Sequence, residues 1–229
     1  MSGPLSGTRV VDLTTAVLGP VATQILGDMG ADVIKIEPPG GDPIRPLGPA
    51  RHPGMGAYFL NINRNKKSVA LDLKRPQART ALLRLVETAD VFVHNMRLGA
   101  AERLGFNYPA VASRNPRIVY AAATGFAKDG RFRDRPSFDD VIQGESGLAA
   151  LNGGVGGEPR YVPMAVCDKL CGYVLARQLG SRCSIASAPA RARRSTSQCW
   201  RRWSPSTSSI ISGTAFSLSR KRGSAIRVC

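Results

Sequence analysis

An α/β fold built on an open, doubly wound and mostly parallel sheet is predicted by three observations in this sequence. Short β-branched and apolar runs recur through the first 123 residues, helical stripes lie between them, and Gly or Pro punctuates the junctions. Arg9–Leu13 is the first strand. Gly19-Pro20 turns the chain, and Pro20 suits the first helical position before a helix over Val21–Met29, which Gly30 ends. Asp32–Glu37 alternates with period two and reads as a strand. Pro38-Pro39-Gly40-Gly41 closes it and opens an irregular stretch to about Gly56.

Ser68–Leu73 is the next predicted strand. Over Gln77–Ala89 the apolar positions Ala78, Ala81, Leu82, Leu85 and Val86 form a helical stripe. Asp90–Val93 and Arg117–Ala123 are further strands, with shorter helical pieces between them. Phe138–Leu151 reads as one helix, ended by the glycines of Asn152–Gly157. An apolar run, Tyr161–Cys167, leads through Asp168 into a helix over Lys169–Ala176.

Composition narrows the function classes. The 229 residues are 43% apolar, enough to bury a core. No run of eighteen apolar residues suggests a membrane span, and Met1–Arg9 lacks the basic-then-apolar pattern of a secretory signal. Five cysteines and two histidines (His52, His94) form no metal-ligand spacing, so reduced thiols in a cytoplasmic protein without a metal are expected. The strand–turn–helix at 9–29 followed by Glu37 has the outline of a dinucleotide site. The glycine fingerprint is missing from Thr14–Pro20, however, so NAD is not expected, and no P-loop occurs.

The net charge of +16 is concentrated near one end. Residues 177–229 hold ten Arg, one Lys, thirteen Ser and no Asp or Glu, a charge of +11, leaving +5 on residues 1–176. A run of 61 residues without an acidic side chain has a chance of roughly 0.2% at the density of the preceding sequence. A basic arm binding nucleic acid, with Trp200 and Trp203 stacking on bases, would explain it, as would a solvated linker. The favoured expectation is a lost reading frame near Arg177. Ala190–Ser204 can share a GC-rich message with Gly-Glu-Gly-Gln-Glu-Val-Asp-Val-Pro-Met in a neighbouring frame, and sequencing the coding DNA across codon 177 tests this. Residues 1–176 are thus expected to form the folded part, and 177–229 a disordered out-of-frame tail.

Polar and basic residues cluster beside the predicted strands. Asn63–Ser68 precedes one and Lys74-Arg75 follows it, while Arg97 and Arg103 follow Asp90–Val93. Cations at the carboxyl ends of parallel strands suit a phosphorylated ligand, although solvated surface charge would give the same pattern. Asp168, at the start of a helix, reads as an N-cap or as a pre-positioned carboxylate nucleophile. The two roles are compatible, since a carboxylate has two oxygens.

The blocks Leu5–Leu13, Gly30–Glu37, Asn63–Lys74, Asn95–Gly105, Asn115–Ile118, Arg135–Gln143, Ser146-Gly147 and Met164–Asp168 lie in order over residues 4–176. Together they resemble the class III CoA-transferases, which include formyl-CoA transferase and the carnitinyl-CoA enzymes. The resemblance implies the Rossmann-like large domain of that family, here incomplete, and exchange of CoA between two carboxylic acids. By position, Asp168 would be the nucleophile, forming an aspartyl-CoA thioester. Val17, Leu18, Leu71, Asp72, Leu73, Lys74, Asn95, Met96, Arg97 and Arg103 would line the nucleotide cleft, with Asp139 near the reacting end. Acyl-CoA and a carboxylic acid would be the substrates, and an interlocked homodimer the assembly.

Two departures refine this. Related racemases carry a histidine where Phe138 stands, so the alternative of an acyl-CoA racemase, which needs two acid/base groups, is disfavoured. Formyl-CoA transferase carries glutamine where Val17 stands, which argues against oxalate or formate. Family members are also longer, so this chain alone is expected to be inactive. An inert fragment or a basic nucleic-acid-binding tail completes the alternatives.

Overall fold

The computed structural model describes residues 3–127 and 130–187, together with 216–217 and 226–227. Five parallel strands form the body of the sheet: β1 (Arg9–Leu13), β2 (Asp32–Glu37), β3 (Lys66–Ala70), β4 (Val91–His94) and β5 (Val119–Ala123). Their order is β3-β2-β1-β4-β5. The predicted doubly wound architecture is therefore present, and the winding reverses between β1 and β4. In open sheets of this kind, ligands bind at that reversal, beyond the carboxyl ends of the strands.

Both faces of the sheet are covered. On one, Val10, Val33, Val91, Val93, Val119 and Ala121 pack under α1 (Leu18–Asp28) and α8 (Val166–Ser187). On the other, Val11, Ile36, Phe92 and Tyr120 meet Leu82 and Val86 of α3 (Pro76–Glu87) and Val111 of α5 (Tyr108–Arg114). This two-sided burial explains why β1 and β4 read as nearly continuous apolar runs.

Several boundaries differ from expectation for local physical reasons. Helix α1 begins at Leu18, three residues before Val21, and Pro20 sits in its first turn, where a missing N–H costs nothing. Edge strand β3 begins at Lys66, two residues before the expected Ser68, because backbone pairing with β2 sets the strand whatever the side chains of Lys66 and Lys67 face. The single helix expected over Phe138–Leu151 is two, α6 (Asp139–Glu145) and α7 (Leu148–Gly153), broken where Gly147 takes a φ of 78°. Shorter helices α2 (Ala57–Asn63) and α4 (Leu98–Leu104) complete the set.

Helix α8 runs past the boundary expected at Ala176 and ends at Ser187. Leu175, Leu179 and Cys183 recur every fourth residue and bury in the core against α1, so the stripe crosses the expected boundary. Two short strands, β6 (Phe216–Ser217) and β7 (Ile226–Arg227), pair with β5. Trp200 and Trp203 lie outside the described residues.

Candidate active site

Parallel strands place all their carboxyl ends on one edge of the sheet, and most predicted ligand residues gather there. Val17 and Leu18 follow β1, Leu71–Lys74 follow β3, and Asn95–Arg97 follow β4 and lead into α4, which carries Arg103. Lys74, Arg97 and Arg103 are solvent-exposed cations, with Arg103 Nη1 folded toward Gly99 in the first turn of α4. Leu71, Leu73 and Met96 pack partly into the core beneath them. Asp72 shapes its own turn, accepting from Lys74 N–H (3.1 Å) and pairing with Arg75 (3.3 Å).

Asn95 acts on the loop beside it. Its Oδ1 accepts from Thr15 N–H (2.9 Å) and its Nδ2 donates to Thr15 C=O (2.8 Å), which ties together the loops after β1 and β4. This brace sits where the winding reverses. It also holds Ala16, the next residue, in the left-handed region at φ 62°, a conformation a non-glycine residue keeps only when its surroundings enforce it.

Beneath this loop lies a buried charge cluster. Lys35 Nζ donates to Thr14 C=O (2.8 Å) and pairs with Asp42 (2.8 Å). Lys66 Nζ donates to Pro20 C=O (2.9 Å), Asn63 Oδ1 (2.9 Å) and Asp12 Oδ2 (3.3 Å). Asp12 also accepts from Thr14 and Thr23. Burial opposes ionisation of Asp12, but Lys66 and Lys35 outweigh it and hold the carboxyl below its ordinary value. Burial pulls Lys66 down to about 8, with Asp12 opposing. The basic run at residues 63–67 is therefore corrected as a ligand-binding feature. It stands at the amino end of β3, Lys66 is internal, and Arg64 and Lys67 pair with Asp28 and Asp32. Glu37 is likewise engaged by both Arg45 nitrogens (2.6 and 2.7 Å), Ser68 and Asp42 N–H. Burial opposes these contacts, which nevertheless lower it to about 2.

Asp168 is the third residue of α8, not its N-cap. The helix starts at Val166, and Ala165 C=O already accepts from Lys169 N–H (3.2 Å). Capping comes from elsewhere: Asp139 Oδ1, at the start of α6, accepts from Asp168 N–H (2.8 Å). The Asp168 carboxylate is half-buried and accepts no hydrogen bond among the described residues. Burial, then the Asp139 charge, pushes it up to about 6. Burial, followed by the charges of Asp168 and Asp139, raises Tyr58. Burial, Asp139 and Asp168 also push the Cys167 thiol up to about 11, so it stays protonated beside the carboxylate.

Two features that sequence reasoning did not single out bring this carboxylate to the loop after β1. A Cβ at Gly172 would lie 2.8 Å from Leu18 O, so only glycine lets α8 approach α1 this closely, one helical turn beyond Asp168. Tyr58 and Ala165 pack against the cluster of Val17, Val21, Ile44, Phe59 and Ile62. Gly172 carries no sequence signal that separates it from any other helical glycine. Among the described residues no group of three or more His, Cys, Asp or Glu could hold a metal ion, and no helix is long and apolar enough to cross a membrane.

Comparison with known proteins gives a consistent result. Residues 5–181 match the family described as CoA-transferase family III. A probable fatty acyl-CoA transferase of Mycobacterium tuberculosis is 42% identical over 177 residues, covering 76% of this chain and 45% of that protein. An acetyl-CoA:oxalate CoA-transferase of Acetobacter aceti is 42% identical over 188 residues, covering 81% of this chain and 46% of the relative. The crystal structure of a CAIB/BAIF family protein from Brucella suis superposes with a TM-score of 0.76 at 35% identity, over 84% of this chain and 51% of that one. The chain thus spans about half the length of the relatives it matches.

Proposed function

The chain belongs to CoA-transferase family III, and from that premise we propose that Asp168 is the nucleophile of a CoA exchange between two carboxylic acids. The observation that carries this reading is the Asp168 carboxylate itself, half-buried, without a hydrogen-bond partner among the described residues and pushed up to about 6. At neutral pH such a group is still about nine-tenths ionised, yet more basic than an ordinary aspartate, which suits attack on a thioester.

In the proposed sequence, a carboxylate oxygen of Asp168 bonds to the thioester carbon of the acyl-CoA, and the C–S bond breaks to release CoA thiolate. The thiolate then attacks the aspartyl carbonyl of the mixed anhydride, expelling the donor carboxylate and leaving an aspartyl-CoA thioester. The acceptor carboxylate repeats the two steps in reverse and restores Asp168. No net proton is consumed. The strand-end residues Leu71–Lys74, Asn95–Arg97 and Arg103, with Val17 and Leu18, would meet the nucleotide part of CoA, and Asp139 would lie near its reacting end. The exposed cations among them support a phosphorylated ligand. Asn95 would serve by holding the loop after β1 rather than by offering its amide, which Thr15 occupies.

An interlocked homodimer fits the same reading. Leu151, Val155, Tyr161, Leu170 and Tyr173 of the α6–α8 region are exposed apolar side chains of the kind that meets another chain. The racemase alternative would need a second acid/base group, and Phe138 beside Asp139 cannot supply one.

Incubation with acetyl-CoA or succinyl-CoA followed by hydroxylamine tests the chemistry. Full turnover is not expected of this chain alone, but the first half-reaction needs only the nucleophile and the acyl-CoA, so mass spectrometry is expected to find a hydroxamate at Asp168 and none in Asp168→Ala. A hydroxamate elsewhere, or equal labelling of the variant, would overturn the assignment.

A further inference from the structure

Gln143 is fully buried on α6, and the nucleophile reading leaves it without a role. Its amide is used at both ends. Oε1 accepts from Val162 N–H (2.8 Å), and Nε2 donates to Asp139 Oδ2 (2.7 Å), with Val162 C=O at 3.3 Å and Met164 C=O at 3.4 Å. Gln143 and Asp139 are four apart on the same short helix, so they share one face. Opposite them runs the segment 162–165, which delivers the chain into α8. The second oxygen of Asp139 takes Asp168 N–H (2.8 Å).

These bonds form one connected path. Gln143 grips the backbone just before α8 and fixes the rotation of the Asp139 carboxylate. Asp139 in turn fixes the peptide of Asp168. An N–H in the first turn of a helix has no intrahelical acceptor, so without Asp139 the Asp168 peptide would be free to tilt. The reactive carboxylate itself accepts no bond among the described residues, so its direction is set through its backbone.

We propose that Gln143 is a positioning residue for Asp168, acting through Asp139 and the 162–165 segment. The proposal rests on the nucleophile reading for its catalytic meaning, but its structural content can be measured independently. Asp139 and Tyr58 face Asp168 from α6 and α2, and Cys167 adjoins it on α8. None of these changes in the variants below.

The test is amide hydrogen exchange of the full chain, read at Asp168 N–H and corrected for intrinsic rates. In the unaltered chain Asp168 N–H is expected to be at least tenfold more protected than the exposed amides of the 154–158 turn. Equal exchange would overturn the proposal without any variant. Gln143→Met keeps the volume and removes all four side-chain hydrogen bonds, and is expected to lower that protection at least tenfold. Gln143→Glu is expected to keep protection at low pH, where a proton shared with Asp139 replaces the amide donor, and to lose it as that proton leaves. A structural role alone predicts no such pH dependence. Ser146→Ala, whose hydroxyl bonds only the Gln143 carbonyl among the described residues, should behave as the unaltered chain.

Hydroxylamine trapping separates the two readings. Protection that follows Gln143 with no Asp168 hydroxamate in the unaltered chain would remove the nucleophile and leave the brace. A hydroxamate forming at an unchanged rate in folded Gln143→Met would remove the brace and leave the nucleophile.

Discussion

Asp12 and Asp168 are both shielded from solvent, and the two regions that hold them treat the carboxylate in opposite ways. Around Asp12, two buried ammonium groups and two hydroxyls surround the charge, so the acid is held below its ordinary value and serves only to anchor the loop after β1. Around Asp168, burial is reinforced by the charge of another carboxylate, Asp139, and the acid rises to about 6. Burial enters both cases with the same sign. What differs is whether the fold supplies partners, and the same residue type becomes a structural tie in one region and a candidate nucleophile in the other.

The largest expected effect comes from breaking the first region. Lys66→Met leaves Asp12 buried with half its counter-charge and should cost about 3–5 kcal/mol in urea unfolding. Lys67→Met, which removes the exposed pair with Asp32, should cost about 0–1 kcal/mol. Similar losses for both would mean that the internal cluster adds nothing beyond a surface pair.

The contact joining the two regions comes next. Gly172→Ala places a Cβ against Leu18 O and should destabilise by about 1–3 kcal/mol while slowing Asp168 labelling, because α8 must retreat from α1. Gly144 on α6 serves as the control. A Cβ there would meet nothing nearer than Tyr161 Oη at 3.8 Å, an ordinary contact. Gly144→Ala should therefore gain up to about 1 kcal/mol from helix propensity. A stable, fully labelled Gly172→Ala would show that the close approach is incidental.

Within the second region, Asp168→Asn should abolish labelling yet stabilise the fold by on the order of 1–2 kcal/mol at pH 7, once solvent screening is allowed for. The sign follows from linkage. A carboxyl whose folded value lies above its unfolded value of 3.8 favours the fold when protonated, and that advantage is lost as pH rises toward about 6. The gain from Asn is therefore expected above pH 6 and should vanish below pH 4. Denaturant titrations across that range check it, and a gain that persists at pH 3.5 would contradict it.

The smallest effect is a contrast in acid. His94 is buried, its Nε2 2.7 Å from Tyr120 Oη, whose own proton goes to Phe106 C=O. Burial lowers it to about 4 against an ordinary 6.5. Its stabilising contribution is present above pH 6.5 and is lost as pH falls through 4, opposite in sign to Asp168 over the same window. Removing the Asp168 contribution by Asp168→Asn should therefore steepen the acid loss between pH 6.5 and 4, and an unchanged slope would show that the two groups do not offset each other.

Strands β1 and β2 were legible to the residue, because a strand in a parallel sheet must bury apolar side chains at positions its own sequence announces. The position of Asp168 was legible through the order and spacing of the blocks around it. Its local role was not: an N-cap and a first-turn residue look alike until the helix start is known, and Ala165–Cys167 are as apolar as a strand. The lysines were misplaced for a similar reason. Composition puts Lys66 in solvent, and only the neighbours delivered by β1 and α1 make an internal ammonium tolerable.

Chain-local information was enough for the alternation of strands and helices, the doubly wound sheet and the family to which the chain belongs, since each rests on periodicity or on residues close in the chain. What each polar side chain does came from contacts between distant segments. Asn95 meets Thr15 across 80 residues, Asp139 meets the Asp168 peptide across 29, and Lys66 meets Asp12 across 54. Charge and hydrogen-bonding capacity are written in the sequence, but whether a buried group is paired or left reactive depends on distances that only the folded chain sets.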